Sequence, residues 1–480
     1  IKVSFRKKNG HISVCSNSAL DLSTGEYVVL LDHDDELRPH SLLRFAQNIK
    51  RNPKFQFIYS DEDKINEENT RFEPYFKPDW NPDLLLSQNY ICHLACIKRS
   101  LIFQNGGFRV GYEGSQDWDL FLRVTENLKP CEIFHIPEIL YHWRSYPAST
   151  ASSLESKDYA IHAAKKSLND YLLRNNINGK IAKLNEKANY WKIVYNVPSK
   201  VPLVSIIIPT KDQMEILKVC VESIISKTEY SNYEILVVDN GTTDPKSKSY
   251  LDELNKKSEV KVIKISGEFN YSRLNNSAAK HAKGEILLLL NNDIEVLGEN
   301  WLEIMVSHAV RSEIGCVGAK LLYPNSTIQH AGVILGIGGV AGHPYKGFAA
   351  NAPGQFSRLF ITQNFEAVTG ACLAVRKSIF EEVGGLNEKD LKVAFNDVDF
   401  CLRVRELGYN NILDPNVVLF HHESYSRGLD TEGKKRIRFE EEVKYMYRKW
   451  GKKLQNDSYY NPNLSLVKED FSLAFPPRVS

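Results

Sequence analysis

The sequence lacks the features that mark several classes of protein. None of its eight cysteines forms a CxxC pair or a zinc-finger spacing, which argues against a cysteine-based metal module and favours buried thiols in a reducing cytoplasm. The net charge of only +2 argues against a strongly charged partner such as bare nucleic acid. No signal peptide and no membrane-spanning apolar run are present. We therefore expect a cytoplasmic protein with at most peripheral contact with the inner face of the membrane.

Length and composition leave room for more than one domain. The chain has 480 residues, of which 42% are hydrophobic and 25% are charged, as in ordinary globular proteins. Each of two domains could bury its own core in a chain of this length. The first residue is Ile1 rather than Met, which predicts a piece of a longer chain.

The chain contains two copies of one unit. The segment "NSALDLSTGEYVVLLDHDDEL" from Asn17 matches "NSAAKHAKGEILLLLNNDIEV" from Asn276, and each Asn precedes an acid, Asp34 or Asp293, by 17 positions. Three further blocks match in the same order: 87–108 with 362–386, 115–124 with 395–404, and 139–144 with 418–423. Four ordered matches predict two homologous domains in tandem.

The comparison of the copies also shows what the first one lacks. Residues 201–259 have no counterpart in it. They contain two apolar runs, "VSIIIPTKDQ" and "YEILVVDNGTTD", which are typical of buried parallel strands, with a helical pattern between them. We predict an α/β protein with the following organisation: a partial domain over 1–150, a helical linker over 151–200, a complete domain over 201–430, and a C-terminal helix with an extended tail over 431–480.

Polar residues follow each apolar run of the second copy. Ligands of open α/β sheets bind outside the carboxyl ends of the strands, so these residues predict one crevice: Thr210, Asp212, Asp239, Asn240, Asn291, Asn292 and Asp293. Asp239 could accept from a nucleobase or a ribose hydroxyl, and Asp293 could hold a divalent cation.

The first copy has more acidic residues after the matching apolar run. Asp32 and Asp34 would repel each other unless a cation or protons intervene. Because Asp34 and Asp293 are acidic at the matched position, we assign the cation contact most firmly to that position. The alternative is that these are turn and capping residues, a role that Asp and Asn favour.

Two further acids and two histidines recur downstream. Asp117 and Asp397 open helical segments, where they could act as general bases or merely cap the helix. His142 and His421 follow them by 25 and 24 positions, and a neutral imidazole could complete the cation's ligands. His422 competes with His421, which we favour because Phe420 matches Tyr141. Ser424, Ser426 and Arg427 follow and suit a diphosphate.

These motifs together resemble family 2 glycosyltransferases with the GT-A fold, especially the tandem bacterial enzymes of O-antigen and surface polysaccharide synthesis, including rhamnosyltransferase-like members. The second copy carries "IIIPTKD", "VVDNGTTD", "LLLNNDIEV", "TGACLAVRK", "NDVDFCLRV" and "FHHESYSRG"; the first carries "IYSDEDKI", "YFKPDWNPDLLLSQNY", "GSQDWDLFLRV" and "LYHWR". The resemblance implies two Rossmann-like domains with mixed, mostly parallel sheets, the first lacking its N-terminal nucleoside-binding part.

The resemblance also implies an activity, a hexosyl transfer with inversion. An acceptor hydroxyl, deprotonated by Asp397 or by Asp117 in the first domain, would attack a nucleotide sugar. The acceptor would be a polysaccharide or a lipid-linked saccharide. Mg²⁺ or Mn²⁺ would bind Asp293 and His421 and, in the first domain, Asp32, Asp34 and His142; the donor–acceptor junction would include Thr369 and Gly370.

Two other functions compete with transfer. A phosphatase of the haloacid dehalogenase type also places acids after an apolar strand, but it needs a nucleophilic Asp where this chain has Asn291. A non-catalytic scaffold that binds a saccharide or a nucleotide is the alternative for the incomplete first domain. Turnover of a phosphomonoester would favour the phosphatase. Binding of a ligand without release of a nucleoside diphosphate would favour the scaffold.

Overall fold

The computed structural model describes residues 1–145, 154–184, 190–422 and 433–478. The chain divides into two units, each with its own sheet. The first unit comprises Ile1–Val194 and Tyr460–Asn463, and the second comprises Tyr195–Tyr459 and Leu464–Ser480. A four-residue piece of the C-terminal tail thus belongs to the first unit.

The first unit is a mixed sheet with flanking helices. Its helices are α1 (His11–Leu22), α2 (Ser41–Arg51), α3 (Pro82–Ser87), α4 (Arg99–Gln104), α5 (Gln116–Thr125) and α6 (Leu154–Arg174), and its strands are β1 (Tyr27–Val29), β2 (Glu36–Leu37), β3 (Phe57–Ile65), β4 (Arg71–Tyr75), β5 (Ala95–Lys98), β6 (Ile133–Arg144) and β7 (Gly179–Lys183), which pairs with β8 (Trp191–Tyr195). The strand order is β1-β5-β3-β6-β2, with β4 beside β3. Strands β3 and β6 are parallel, and their neighbours run antiparallel.

The second unit is larger and repeats this pattern. Its helices are α7 (Met214–Lys227), α8 (Pro245–Leu254), α9 (Tyr271–Ala279), α10 (Trp301–Ala309), α11 (Lys377–Glu382), α12 (Asn396–Glu406) and α13 (Gly433–Leu454), and its strands are β9 (Val204–Thr210), β10 (Tyr233–Asp239), β11 (Val260–Lys264), β12 (Ile286–Leu290), β13 (Ile294–Val296), β14 (Ile314–Leu322), β15 (Ile328–His330), β16 (Ile334–Leu335), β17 (Ala341–Gly342), β18 (Gln363–Phe365), β19 (Cys372–Arg376) and β20 (Asn410–His421). The main sheet has the order β11-β10-β9-β12-β19-β14-β20-β13.

The opening of the second unit has the predicted strand–helix–strand form. Strands β9, β10 and β12 are buried along most of their length and are parallel to one another, as their continuous apolar runs require. The register pairs Asp239 with Thr210, so the polar residues that follow these strands meet at one edge of the sheet. The predicted α/β class with mixed sheets is confirmed.

The repeated sequence motifs correspond to one tertiary contact in each unit. The Asn17 side chain accepts from the backbone N–H of Phe108 at 2.8 Å and donates to its carbonyl at 2.7 Å. Asn276 makes the same two bonds with Leu386, both at 2.8 Å. The neighbouring Gly385 has φ +72°, and a Cβ there would come within 2.6 Å of the Asn276 Oδ1. The repeated Asn and Gly motifs therefore join the start of each copy to its middle.

The first unit presents an open edge where the second has further strands. In the described part of the first unit, β1 pairs only with β5, whereas β12 in the second unit lies between β9 and β19. Residues 1–10 form no regular helix or strand. In the described part of the first unit, the sheet thus has no strands that match β9 and β10.

The structure also shows how exposed the cysteines are and how long and apolar the helices are. All eight cysteines are free, and Cys15 and Cys131 are exposed, so the expectation of buried thiols is wrong for these two. Across 1–145, 154–184, 190–422 and 433–478, no helix combines the length and the apolarity needed to cross a bilayer.

A buried polar network lies in the first unit. His135 lies 2.8 Å from Asp61 through Nε2 and 3.1 Å from Asp79 through Nδ1. The Asn461 side chain donates to both oxygens of Asp61, at 3.1 and 2.9 Å. Burial lowers the pKa of His135, but the charges and hydrogen bonds of Asp61 and Asp79 outweigh it and raise the pKa to about 9. The network therefore contains an imidazolium at neutral pH.

We expect the stability of the first unit to fall in alkaline solution because of this imidazolium. A histidine whose pKa is raised by folding stabilises the folded state fully below its unfolded pKa of about 6.5, and this contribution is lost as the pH rises through about 9. The loss should amount to roughly 3 kcal/mol. Urea unfolding at a pH below 6.5 and one above 9 would measure it in the wild type and in His135→Gln. Equal pH dependence in the two proteins would contradict the expectation.

Candidate active site

The carboxyl ends of β9 and β10 form the first part of the site. Asp239 Oδ1 accepts from the backbone N–H of Thr242 at 2.7 Å. The Asn292 side chain donates to the Thr210 hydroxyl at 3.1 Å, and the Asn240 N–H donates to the Thr210 carbonyl at 2.9 Å. Contacts between the ends of different strands therefore hold these predicted residues at one edge of the sheet.

Asp212 braces the loop beside them. Its Oδ1 accepts from the backbone N–H groups of Thr243 and Asp244, at 2.7 and 2.9 Å. These two hydrogen bonds lower the pKa of Asp212. Its contacts match the turn-stabilising alternative, so Asp212 shapes the loop after β10 whatever else it binds.

The second part of the site is the acidic end of β12. His421 pairs with Ile294 across β20 and β13, which places its Nε2 3.2 Å from the Asp293 Oδ1 and 3.3 Å from the Asn291 amide nitrogen. Its competitor, His422, instead contacts Glu295 at 3.0 Å. The structure thus places the side chain of His421, and not that of His422, beside the Asp293 carboxylate.

The donor atoms of Asp293 and His421 fit a divalent cation. The Asp293 Oδ1 is buried and, apart from the His421 Nε2 3.2 Å away, has no hydrogen-bond partner among the residues that the structure describes, and neither has the buried His421 Nδ1. A buried carboxylate oxygen with no hydrogen bond is costly unless a cation or a proton compensates it. Carboxylate oxygen and imidazole nitrogen are ligands that Mn²⁺ and, through oxygen, Mg²⁺ accept. The pair is therefore suited to hold either ion.

The third part of the site surrounds Asp397 at the start of α12. Its Oδ2 accepts from the Gly370 N–H at 2.8 Å, and its Oδ1 accepts from the Val398 N–H at 2.8 Å. The Tyr271 hydroxyl donates to the Gly370 carbonyl at 2.7 Å, and Thr369 contacts the Ala371 N–H through its hydroxyl at 3.3 Å. The segment with Thr369 and Gly370 thus lies between the Asp397 carboxylate and the strand end.

Two observations connect Asp397 with the cation pair. The Asn291 N–H donates to the Ala371 carbonyl at 3.0 Å, so the end of β12 adjoins the segment that holds Asp397. Burial raises the pKa of Tyr271, and the Asp397 and Asp293 carboxylates raise it further, which requires both carboxylates to lie within electrostatic reach of one hydroxyl. Asp293, His421 and Asp397 therefore line one side of the sheet's edge.

The first unit arranges its predicted residues differently. One ligating atom each of Asp32, Asp35 and His93 lies within 4.8 Å of the others. His142 instead bonds to Asp63 through Nδ1, because β3 and β6 pair these two residues directly. The Asp34 side chain is about half exposed, with His33 3.6 Å away. The predicted set of Asp32, Asp34 and His142 is thus not brought together, and Asp35 and His93 join Asp32 in its place.

The predicted base of the first unit has a different set of partners. Asp117 accepts from the Asn89 side chain at 2.7 Å. Burial raises its pKa, while the neighbouring His93 and the hydrogen bonds from Trp118 and Asn89 oppose the rise. Each helix has another acid two residues further on, Asp119 or Asp399, which pairs with an arginine one turn later: Arg123 at 2.8 Å or Arg403 at 2.7 Å. These two acids therefore stabilise the fold.

Three of the predicted site residues are not among those described, and four residues near the sites were not predicted. Ser424, Ser426 and Arg427 lie outside the described residues. Sequence reasoning missed Tyr271, His93 and a pair formed by the buried His330 and the half-buried His343. The pair lies in "QHAGVILGIGGVAGH", which has no counterpart in the first copy, so the repeat could not draw attention to it.

Comparison with known proteins identifies the family of the chain. The family model described as "Glycosyl transferase family 2" matches residues 1–104 and 205–384, one stretch in each unit. This confirms the family resemblance and, with the two mixed sheets, the predicted fold class.

Individual relatives extend the comparison along the whole chain. An uncharacterized protein, y4gI, of Sinorhizobium fredii is 45% identical over 99% of this chain, which spans 52% of that protein. The O-antigen biosynthesis protein RfbC of Myxococcus xanthus is 36% identical over 99% of this chain, which spans 37% of that protein. A mannosyltransferase from Pyrobaculum calidifontis, solved with GDP-Man and Mn²⁺, is 18% identical with a TM-score of 0.40, over 54% of this chain and 67% of that one. On the match of the family model to both units, the chain belongs to glycosyl transferase family 2.

Proposed function

We propose that the second unit transfers a sugar from a nucleoside diphosphate donor to a hydroxyl of a growing surface polysaccharide, in one displacement that inverts the anomeric carbon. The observation that carries this proposal is the buried Asp293–His421 pair beside the tethered Asp397 carboxylate. It offers a cation site and a proton acceptor along the same edge of the sheet. Similarity to a protein of O-antigen biosynthesis supports the polysaccharide acceptor.

The donor's nucleoside would bind at the ends of β9 and β10. Asp239 has one oxygen bonded to Thr242, and its other oxygen is available to a base N–H or a ribose hydroxyl. Thr210, Asn240 and Asn292 surround the same edge. Asp212 would act through the loop that it braces.

The donor's diphosphate would lie toward Asp293. Mg²⁺ or Mn²⁺, held by Asp293 and His421, would offset the charge that builds on the leaving diphosphate. The Asn291 amide contacts the His421 Nε2 side of the ring and so restricts how the imidazole can turn. Asn291 carries no charge, which leaves Asp293 as the single carboxylate at this strand end in the second unit.

Asp397 would take the proton of the acceptor hydroxyl. Two backbone N–H groups hold its oxygens, one at each, which fixes the plane of the carboxylate. Asp397 also lies in the first turn of α12, where the positive end of the helix dipole attracts a carboxylate. A carboxylate held in one orientation is suited to act as a general base.

The first unit has fewer of the features that catalysis requires. Its Asp117 and its Asp32, Asp35 and His93 cluster lie in a sheet without the nucleoside-binding strands. We propose that it binds a saccharide or contributes structurally rather than turning over donor. A phosphatase remains disfavoured, since Asn291 stands where the nucleophile would be needed.

A donor screen tests the proposal. Nucleotide sugars would be added to the full chain with and without Mn²⁺ while thermal unfolding is followed, because a bound ligand raises apparent stability. We expect one donor to raise the unfolding temperature only when Mn²⁺ is present, and that donor to release nucleoside diphosphate when acceptor is added. Failure of every donor, or hydrolysis of a phosphomonoester in its place, would contradict the proposal.

A further inference from the structure

His330, at the end of β15, is a buried histidine with one unused nitrogen. Its side chain is fully buried, and its Nδ1 lies 2.8 Å from the Nδ1 of His343. Its Nε2 is buried and has no hydrogen-bond partner within the described ranges. Because a buried polar atom is normally paired, this nitrogen points to a partner that the protein's own contacts do not supply.

A second unused nitrogen, the Nδ1 of His421, lies on the same face of the sheet. His330 pairs with Leu321 in β14, and Leu321 pairs with Leu419 in β20. Side chains paired across strands share a face, and so do residues two apart in one strand. His421 is two residues beyond Leu419, so its ring and that of His330 project from one face, with their strands about 10 Å apart.

The electrostatics are consistent with this proximity. Burial lowers the pKa of His330 well below its usual value, and His343 and His421 lower it further. His421 therefore lies within charge reach of His330, and the buried ring of His330 is neutral, with one donor and one acceptor nitrogen.

In the first unit, the histidine equivalent to His421 has a carboxylate as its hydrogen-bond partner. There, the Nδ1 of His142 bonds to Asp63 of the neighbouring strand. In the second unit the neighbouring strand, β14, ends at Leu322, which pairs with Phe420, so no residue of that strand pairs with His421. A histidine whose Nε2 faces a cation site usually donates its other N–H to such a partner.

We propose that His330 is a positioning residue that orients His421 toward Asp293, directly or through one water, in a chain of imidazoles that ends at His343. The inference rests on the proposed function. His421 Nδ1–H donates toward His330 Nε2, and His330 Nδ1–H donates to His343 Nδ1. This assignment uses both nitrogens of His330 and leaves the lone pair of the His421 Nε2 for the cation beside Asp293.

Mn²⁺ binding to the full chain tests the inference without relying on turnover. Free Mn²⁺ would be measured by electron paramagnetic resonance during titration of the wild type, His330→Leu and His330→Gln. We expect His330→Leu to weaken binding by about 10–100-fold and His330→Gln, whose amide oxygen can accept, to weaken it less. Spin-echo modulation from imidazole nitrogen on bound Mn²⁺ should also diminish in His330→Leu.

Two control variants distinguish failure of the proposed cation site from failure of the inference about His330. His308→Gln changes another buried histidine, which pairs with Asp414, and should bind Mn²⁺ as the wild type does. Asp293→Asn should lose binding. If Asp293→Asn binds normally, the proposed cation site is wrong and the inference falls with it. If Asp293→Asn loses binding while a folded His330→Leu retains wild-type affinity, only the inference is overturned.

Discussion

Asp397→Asn should abolish sugar transfer by the second unit while leaving donor binding nearly unchanged. The amide has the shape of the carboxylate and can still accept the Gly370 N–H that Asp397 accepts at 2.8 Å. It cannot take a proton from the acceptor hydroxyl, because an amide is not a base at neutral pH. Loss of a general base costs about 10²–10⁴-fold in rate, so kcat should fall by that factor.

Two measurements would establish this pattern. Calorimetry would give the donor's dissociation constant, and release of nucleoside diphosphate would give kcat. Asp117→Asn is the matched control, since it makes the same change at the equivalent position of the first unit, where donor turnover is not expected. Turnover of Asp397→Asn within about tenfold of the wild type would remove Asp397 from its role as the base.

Much of the fold could be predicted because the sequence patterns that specify it are local. The runs that became β9, β10 and β12 are continuous and apolar, and such runs are typical of parallel strands buried on both faces. The repeat added a tertiary prediction, since matched motifs such as Asn17 and Asn276 make matched contacts. The edge where the site lies followed from strand direction alone.

The partners of individual side chains were harder to predict than the edge on which they lie. The sequence predicts that His142 joins Asp32 and Asp34 because it matches His421 of the second copy. Its actual neighbour, Asp63, is 79 residues away in sequence and becomes adjacent only through the register of β3 with β6, which includes irregularities. Register on this scale depends on packing that the sequence pattern does not express.

The cation site of the second unit should show opposite effects of one substitution on activity and on stability. The Asp293 Oδ1 is buried and, apart from the His421 Nε2 3.2 Å away, has no hydrogen-bond partner in the described structure, so in the absence of a cation Asp293→Asn removes a costly charge. We expect its free energy of unfolding to stay within about 0.5 kcal/mol of the wild type, or to rise by about 1 kcal/mol. Transfer should nevertheless fall by about 10²–10³-fold, because the leaving diphosphate loses its compensating cation.

Unfolding with and without Mn²⁺ distinguishes this site from an ordinary buried acid. At Mn²⁺ concentrations about 100 times the dissociation constant, the wild type should gain about 2.7 kcal/mol, and Asp293→Asn should gain almost nothing. Glu295→Gln is the matched control, since Glu295 lies two residues on and contacts His422 at 3.0 Å; it should keep the full Mn²⁺ effect. If Asp293→Asn lost stability equally with and without Mn²⁺, Asp293 would be holding the fold together. In that case the carboxylate would have a partner within the protein, and the cation would have no reason to bind there.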